Sequence, residues 1–187
     1  MSIKIKYTKK TSSNVSVSTV FFVNEKFELG NIKKYISSNE ISYIKDLLKI
    51  NKKKNILFFE LNSKKKIFLI SIKKNLEESE VENLGAKFYS QIKNNDKDTE
   101  YFLNAESLIK NENFLGHFLH GLKLKSYQFN KYKSKKKINL ITITVIGNKN
   151  ITSAKDQLKF KALEQGTFFA RDLVSEPGNV LHPDEYA

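Results

Sequence analysis

Two short segments in the first half of the chain, 55–61 and 67–72, are apolar at nearly every position. Segments of this length with apolar side chains on both sides are typical of strands that other layers cover on both faces. The polar run 62–66 between them contains three lysines and predicts a turn. The pair therefore indicates an α/β fold in which these two strands form the sheet centre and helices cover the sheet.

Further strands are predicted where apolar and polar residues alternate. The segments 3–7, 15–23 and 138–146 show this pattern, and the last of them ends at Gly147-Asn148. Along 138–146 isoleucine and valine alternate with threonine, and all three residue types favour strands. The apolar triplet 101–103 predicts one more short strand.

Three segments between these strands have helical periodicity. Ser37 and Glu40 are spaced as a capping box, and apolar residues follow at helical spacing. The segment 77–94 has four glutamates near its start, where the helix dipole favours negative charge. A third apolar face spans 114–129. The face residues are Ile41, Ile44, Leu47 and Leu48; Val81, Leu84, Phe88 and Ile92; and Phe114, Leu115, Phe118, Leu119, Leu122 and Phe129.

The last part of the chain predicts a helix of about 20 residues, which is long for a globular domain and able to bridge two domains. Pro177-Gly178 ends it, and 181–187 is typical of a turn that begins a new helix. We predict a first domain over 1–150 that folds without the rest, a connecting helix over 151–175, and the start of a second domain over 176–187. The apolar face of the connecting helix consists of Leu158, Ala162, Gly166, Phe169 and Leu173.

The formal net charge is +13, yet among 33 basic residues only Arg171 is an arginine. Nucleic-acid-binding surfaces favour the guanidinium fork, which binds phosphates and base edges through two hydrogen bonds. Lysine is abundant here together with asparagine, isoleucine, phenylalanine and tyrosine, the residues that A/T-rich codons encode. We interpret the charge as codon bias and expect at most weak, non-specific binding of nucleic acid.

The chain contains no cysteine, which excludes disulfides, thiolate zinc sites and cysteine nucleophiles. Its first residues alternate apolar with charged side chains and do not form the apolar stretch of a signal peptide. Purely apolar runs reach about four residues, as at 20–23, whereas a bilayer span needs roughly 20. We expect a cytoplasmic protein with no membrane partner.

His117 and His120 stand three positions apart on a predicted helix, a spacing that two metal ligands can use. A third ligand is missing, and the helical wheel places both away from the apolar face of that helix. We interpret them as solvent-side residues. The remaining histidine, His182, lies beside a proline in a loop, so a histidine-based zinc enzyme is not expected.

Gly116 and Gly121 followed by Lys123 are similar to a phosphate-binding loop, but Leu122 occupies the position that requires lysine. The segment is also predicted to be the middle of a helix, so we reject a phosphate site. Neither GxGxxG nor GxSxG occurs, which removes the usual dinucleotide loop and the nucleophile elbow.

Four carboxylates near predicted helix ends offer ligands for a hard metal ion, but caps and dipole partners are the favoured interpretation. They are Asp156, Asp172, Asp184 and Glu185. The basic stretch 131–137, with Tyr127, Phe129 and Tyr132 nearby, offers charge and stacking to nucleic acid, although we favour a solvated loop. We therefore predict no catalytic, metal-binding or cofactor-binding residue in this chain.

Two stretches near the end carry a family resemblance. The segment 166–187 reads Gly-Thr-Phe-Phe-Ala-Arg-Asp-Leu-Val-Ser-Glu-Pro-Gly-Asn-Val-Leu-His-Pro-Asp-Glu-Tyr-Ala. It resembles the junction in the leucyl aminopeptidase (cytosol aminopeptidase) family, where an Ala-Arg-Asp-Leu helix end leads through a Pro-x-Asn-x-Leu turn into the catalytic domain. The preceding segment 121–133 resembles the family's Gly-x-x-Leu-x-x-Tyr-x-Phe-x-x-Tyr-Lys helix end. Ser175 and His182 depart from the usual Asn and Thr.

The resemblance implies a macrodomain-like N-terminal α/β domain, with a mixed sheet flanked by helices, followed by a connecting helix. It also implies a catalytic domain with two divalent metal ions, zinc or manganese, whose ligands all lie beyond Ala187. We therefore expect the chain to be truncated before that domain and inactive alone. Members of the family remove N-terminal amino acids from peptides and are typically cytoplasmic homohexamers.

The resemblance further implies that the apolar face of the connecting helix packs partly against the catalytic domain. We expect this face to be under-buried here and to promote self-association. The alternative function is a stand-alone binding module for nucleic acid or ADP-ribose-like ligands. The missing phosphate-binding glycines and the scarcity of arginine disfavour it.

Overall fold

The computed structural model describes residues 3–9, 17–50, 54–63, 65–94, 100–108, 113–134, 140–178 and 180. Within these ranges the strands are β1 (Ile3–Thr8), β2 (Val17–Asn24), β3 (Ile56–Glu60), β4 (Lys65–Ile72), β5 (Glu100–Asn104) and β6 (Ile141–Ile146). The helices are α1 (Ser38–Ile50), α2 (Glu78–Ile92), α3 (Phe114–Lys125) and α4 (Ala154–Ser175). No helix in this part of the chain has both the length and the apolar character that a membrane span needs.

The six strands form one sheet in the order β1-β6-β5-β2-β4-β3. Every neighbouring pair is parallel except β3 with β4, which is antiparallel. Helices α2 and α3 cover one face, α1 covers part of the other, and α4 follows the last strand. The predicted α/β class, a mixed sheet flanked by helices and followed by a further helix, is confirmed.

The prediction that the segments 55–61 and 67–72 form the sheet centre is wrong, because β3 is an edge strand and β4 is the strand beside it. β3 lies at an edge of the sheet, and its Phe58 side chain is 43% exposed. The middle of the sheet is the β5–β2 pair, with β4 next to β2. Apolar residues on both sides of a strand indicate that its two faces are covered, but they do not show how many strands lie beside it. Strand order depends on long-range pairing, which local periodicity does not reveal.

Alternate side chains of the inner strands supply two separate cores. On β2, Val20 and Phe22 pack with α2 and α3, whereas Phe21 and Val23 pack with α1. The predicted face of α2 lies in the first core and is buried throughout: Val81, Leu84, Phe88 and Ile92. Because both faces of the sheet are covered there, β2 and β4 are apolar on both sides.

The start of α1 confirms the predicted capping box. The backbone N–H and the hydroxyl of Ser37 each donate to Glu40 Oε2 at 2.9 Å, and the Glu40 N–H donates to Ser37 Oγ at 3.4 Å. Lys65 Nζ of β4 lies 2.8 Å from both oxygens of Glu40. Burial alone would raise the pKa of the Glu40 carboxyl, but hydrogen bonds from Lys65 and Ser37 outweigh it and hold that pKa below its usual value. The cap therefore also joins α1 to the sheet.

Helices α2 and α3 contact each other backbone to backbone at two glycines. A Cβ atom on Gly85 would lie 2.0 Å from the carbonyl oxygen of Phe118, and one on Gly121 would lie 2.0 Å from that of Glu82. Real Cβ atoms do not come this close to backbone atoms, so the two helices reach this spacing only with glycine at both positions. Gly121 therefore serves helix packing, which explains its occurrence without a phosphate site.

We predict that Gly121→Ala destabilises the fold by about 3 kcal/mol, because α3 must move away from α2 to admit the methyl group. The matched control is Gly166→Ala in α4, where no described residue has an atom within 4 Å of an added Cβ. That control should stabilise the protein by up to about 1 kcal/mol through helix propensity. Urea unfolding followed by circular dichroism measures both, and equal stability of the two variants would contradict the packing account.

Candidate functional site beneath the last helix

The first half of α4 packs against α3 through the aromatic ring of Phe160. A Cβ atom on Gly116 would lie 2.4 Å from this ring, so the ring occupies the space that a side chain would fill. The imidazoles of His117 and His120 flank the ring, with centroids 4.9 and 5.2 Å from its own. Phe160 is 7% exposed as a result. The glycine therefore lets α4 contact α3 directly at this point.

Both histidines of α3 are buried, which corrects the prediction that they face solvent. His117 is 8% exposed and His120 is 7% exposed. His117 Nδ1 lies 3.0 Å from Glu82 Oε1, and its Nε2 lies 3.4 Å from Glu78 Oε1, both on α2. The prediction was wrong because it considered only the apolar face of α3, whereas α2 and α4 cover further sides of that helix. The periodicity of one helix does not reveal a second helix packed against it.

Neither histidine forms part of a metal-binding cluster in the described part of the chain. No group of three or more His, Cys, Asp or Glu side chains there is placed to hold a metal ion. Glu164 is the carboxylate that lies 3.6 Å from His120 Nδ1, and its other oxygen is paired with Lys123. The described residues therefore offer a metal ion here fewer than the three protein ligands that it usually needs. These histidines therefore contribute to helix packing and to the polar cluster around α4.

Glu164 is a buried carboxylate on α4, only 4% exposed, and sequence periodicity gave no reason to select it. Its Oε2 atom lies 2.8 Å from Nζ of Lys123 on α3. Its Oε1 atom lies 3.6 Å from His120 Nδ1, which is too long for a hydrogen bond. A buried carboxylate is costly without a partner, and Lys123 supplies one. The only signal in the sequence was the i, i+4 spacing of Phe160 and Glu164, which places them on one face of α4.

A cleft of about 460 Å³ opens between α4, α3 and the edge strand β1. β1 contributes Ile5 and Tyr7 to its lining, and α3 contributes Leu119, His120 and Lys123. Burial raises the pKa of the Tyr7 hydroxyl, so this phenol is a neutral hydrogen-bond donor at physiological pH. The cleft thus combines a carboxylate, an ammonium group, an imidazole and a phenol with an apolar wall. Pockets that bind small molecules have this combination of features.

The second half of α4 is joined to the segment after α3 by contacts at the surface. The Tyr127 hydroxyl donates to Asp172 Oδ1 at 2.7 Å, and Arg171 Nη1 donates to the carbonyl oxygen of Leu124 at 2.7 Å. The Arg171 guanidinium also lies 5.5 Å from the centre of the Tyr127 ring. Arg171, the sole arginine, therefore helps to hold α4 in position. The N–H group that it donates to the Leu124 carbonyl is not available to a phosphate.

The predicted basic and aromatic patch partly contacts α4 as well. Lys131 Nζ lies 2.6 Å from Glu176 Oε1, and the Tyr132 hydroxyl donates to the other oxygen of the same carboxylate. The hydrogen bond from Lys131 is the main cause that holds the pKa of Glu176 below its usual value. The lysines at 135–137 lie outside the described residues. In the part of this patch that the structure describes, Lys131 and Tyr132 thus contact a carboxylate of the same chain.

The predicted helix-end carboxylates have different outcomes. Asp156 confirms its role at a helix start, because its N–H donates to Ser153 Oγ at 3.1 Å and the Ser153 hydroxyl donates to Asp156 Oδ2 at 2.6 Å. Asp172 accepts a hydrogen bond from Tyr127 and is not a cap, which corrects that interpretation. His182, Asp184 and Glu185 lie outside the described residues, as does the helix expected after Pro177-Gly178.

Most of the predicted apolar face of α4 points away from α3, although Leu158 also borders the cleft. Leu158 is 68% exposed and Phe169 is 66% exposed. Ala162 and Gly166 are also exposed, and Leu173 is half-buried. The expectation that this face is under-buried is confirmed. We call these five residues the outer face of α4, in contrast to the inner face of Phe160 and Glu164 that the apolar pattern did not predict.

The chain is similar in sequence to curated cytosol aminopeptidases, although no family model matches it. A probable cytosol aminopeptidase of Clostridium perfringens is 39% identical over 99 residues, which are 49% of this chain and 20% of the relative. A probable cytosol aminopeptidase of Rhizobium johnstonii is 33% identical over 114 residues, which are 55% of this chain and 22% of the relative. The matched part thus spans about a fifth of the length of these relatives.

The fold is similar to that of solved leucine and cytosol aminopeptidases. A mutant of tomato leucine aminopeptidase superposes with a TM-score of 0.69 at 16% identity, over 97% of this chain and 40% of that chain. Cytosol aminopeptidase from Coxiella burnetii superposes with a TM-score of 0.62 at 14% identity, over 96% of this chain and 35% of that chain. At such low identity these structures show the fold alone, and it matches the N-terminal domain of leucine aminopeptidases.

We predict that Phe160→Ala destabilises the protein by about 3 kcal/mol, because it leaves a cavity over Gly116 and between the two histidines. The matched control is Phe169→Ala on the outer face of the same helix, which should change the free energy of unfolding by less than about 0.5 kcal/mol. Chemical denaturation of both variants measures the difference. If Phe169→Ala lowers the free energy of unfolding as much as Phe160→Ala does, α4 does not pack through the face that carries Phe160 and Glu164.

Proposed function

Because this chain is related to the cytosol aminopeptidases, we propose that it is the non-catalytic N-terminal part of an enzyme that removes N-terminal amino acids from peptides. The observation that supports this proposal is the two-sided packing of α4. Its inner face is attached to the α/β layer through Phe160 and Glu164, while its outer face exposes Leu158 and Phe169. A helix with two such faces is suited to join one domain to another.

The free energy of burying apolar side chains favours a partner for the outer face. Burying a leucine or phenylalanine side chain stabilises by about 1.5 to 3 kcal/mol, so Leu158 and Phe169 together offer a substantial gain to any domain that covers them. In the family that the chain resembles, the corresponding helix leads into the catalytic domain. We propose that the outer face packs against that domain in the whole enzyme, which we expect to be a cytoplasmic homohexamer.

The two metal ions that the resemblance implies do not fit the described residues of this chain. No group of three or more ligating side chains is present among them, and the buried Glu164 is paired with Lys123. Zinc or manganese ions supply activated water and Lewis acidity to such peptidases when bound. We propose that both ions and the peptide chemistry belong to the catalytic domain, and that this chain contributes to assembly.

We predict that the 187-residue chain does not hydrolyse leucine p-nitroanilide above the blank rate with added Mn²⁺ or Zn²⁺. The reason is the absence of a suitable ligand group among the described residues. A leucine aminopeptidase that hydrolyses this substrate, assayed under the same conditions, provides the positive comparison. Turnover by this chain that rises with the Mn²⁺ concentration and disappears with a chelator would show that the chain is catalytic by itself.

The second candidate function is a stand-alone binding module for nucleic acid or ADP-ribose-like ligands, which the net charge of +13 favours. The structure offers little support for this binding-module function. Arg171 and Lys131 contact residues of the chain itself. Gly85 and Gly121 serve helix packing, whereas phosphate sites use glycines where the backbone approaches the ligand.

We predict that the chain binds duplex DNA with a Kd of about 10⁻⁴ to 10⁻⁶ M at physiological salt, because lysines without arginine forks supply mainly the counterion-release term. Affinity should decrease steeply with salt and should not depend on sequence. Fluorescence anisotropy with two unrelated duplexes at several salt concentrations measures both properties. A clear preference for one duplex at moderate salt would favour the binding-module function.

A further inference from the structure

We propose that the cleft between β1, α3 and α4 binds a small primary ammonium compound with an apolar body, the chemical class that includes free apolar amino acids. The proposal does not depend on the proposed function, because it rests on groups that face this cleft. It rests first on a buried acceptor atom of this cleft that lacks a hydrogen-bond partner within the described residues, and second on a carboxylate oxygen close to it.

The first of these atoms is Nδ1 of His120. His120 is 7% exposed and lines the cleft, and its Nδ1 is buried without a hydrogen-bond partner in the described part of the protein. A buried polar atom without a partner is costly, so such atoms in native proteins generally meet a water or a ligand. When the ring proton is on Nε2, Nδ1 is an acceptor and can accept a hydrogen bond from a donor that lies in the cleft.

The second atom is Oε1 of Glu164, 3.6 Å from His120 Nδ1. The other oxygen of this carboxylate is paired with Lys123 at 2.8 Å, so Oε1 retains acceptor capacity on the side of the histidine. A single donor atom with several hydrogens can contact two acceptors at this separation. An ammonium group fits this requirement because it carries three hydrogens, and its charge-assisted hydrogen bond to Oε1 of Glu164 is stronger than one from a neutral donor.

The rest of the cleft specifies the remainder of the ligand. Ile5, Leu119 and Phe160 form an apolar wall beside Glu164, which suits a branched aliphatic group. Tyr7 is a donor at the rim, and Lys161 on the exposed side of α4 supplies positive charge there. A carboxylate on the ligand would meet these two groups. A zwitterionic amino acid therefore fits better than a simple amine, and a simple amine fits better than a carboxylic acid.

The test uses the 187-residue chain with three probes of similar shape: L-leucine, 3-methylbutylamine and isovalerate. Amide chemical shifts in ¹H–¹⁵N spectra report binding. We expect shifts centred on β1, His120 and the first half of α4, with a Kd of about 0.1 to 10 mM for leucine. The amine should bind more weakly than leucine, and isovalerate should not bind. Binding of isovalerate without the amine, or no shift with any probe at 20-fold excess over about 1 mM protein, would overturn the proposal and leave an ordered water as the partner of His120.

Variants separate the cleft from other surfaces. Glu164→Gln keeps the size of the side chain and should weaken leucine binding about tenfold or more, the factor expected for one charge-assisted hydrogen bond. Because this change also touches the pair with Lys123, a second variant is needed. Ala154 lines the cleft from the exposed start of α4, and Ala154→Trp should abolish binding by filling the opening without disturbing the core.

The control is Ala170→Trp, which places the same side chain on an exposed part of α4 away from the cleft lining. It should leave leucine binding unchanged. Equal loss of binding in Ala154→Trp and Ala170→Trp would contradict the assignment of the site to this cleft. Unchanged binding in both Ala154→Trp and Glu164→Gln would contradict it as well.

Discussion

The contact between Phe160 and Gly116 determines where α4 lies. The burial of the two histidines of α3 and the ion pair between Glu164 and Lys123 both depend on that contact. Once the ring occupies the space beside this glycine, His117 and His120 are covered on either side of it. Glu164, one turn further along α4, then reaches Lys123. The burial of one phenylalanine, worth about 1.5 to 3 kcal/mol, exceeds what exposed ion pairs typically contribute. The first half of α4 is thus the strongly held half.

The same contact decides which face of α4 remains exposed. With Phe160 and Glu164 turned toward α3, the residues about half a turn away around the helix, including Leu158 and Phe169, point to solvent. The second half of the helix is held mainly by polar contacts at the surface, such as Arg171 with the Leu124 carbonyl. This difference supports the proposal that α4 belongs to one layer through its inner face and receives another domain on its outer face.

Local patterns in the sequence predicted the elements better than their arrangement. The spacing of Val81, Leu84, Phe88 and Ile92 defined α2, and the pair Ser37 and Glu40 defined the start of α1, because both signals come from residues within one turn of each other. The position of β3 at the edge was not predictable in this way, since strand order results from pairing between distant segments.

The candidate site was also predictable only in part, because its contacts join segments that are distant in sequence. His117 and His120 were recognised as a pair, but their burial depends on α2 and α4, which are distant in sequence. Glu164 is one of 20 acidic residues, and apart from its i, i+4 spacing to Phe160 the sequence does not mark it as buried. Its partner Lys123 lies 41 positions away. The apolar pattern of α4 identified the outer face correctly and left the inner face unrecognised, because that face combines one aromatic residue with a carboxylate.

The most direct test of this account is a nuclear Overhauser measurement on the 187-residue chain, combined with a soluble paramagnetic probe. The account predicts cross-peaks between the ring protons of Phe160 and the Hα protons of Gly116, together with strong paramagnetic relaxation of the Phe169 ring and the Leu158 methyl groups. Cross-peaks from Phe169 to α3, with Phe160 relaxed by the probe, would contradict it, because α4 would then pack through its outer face.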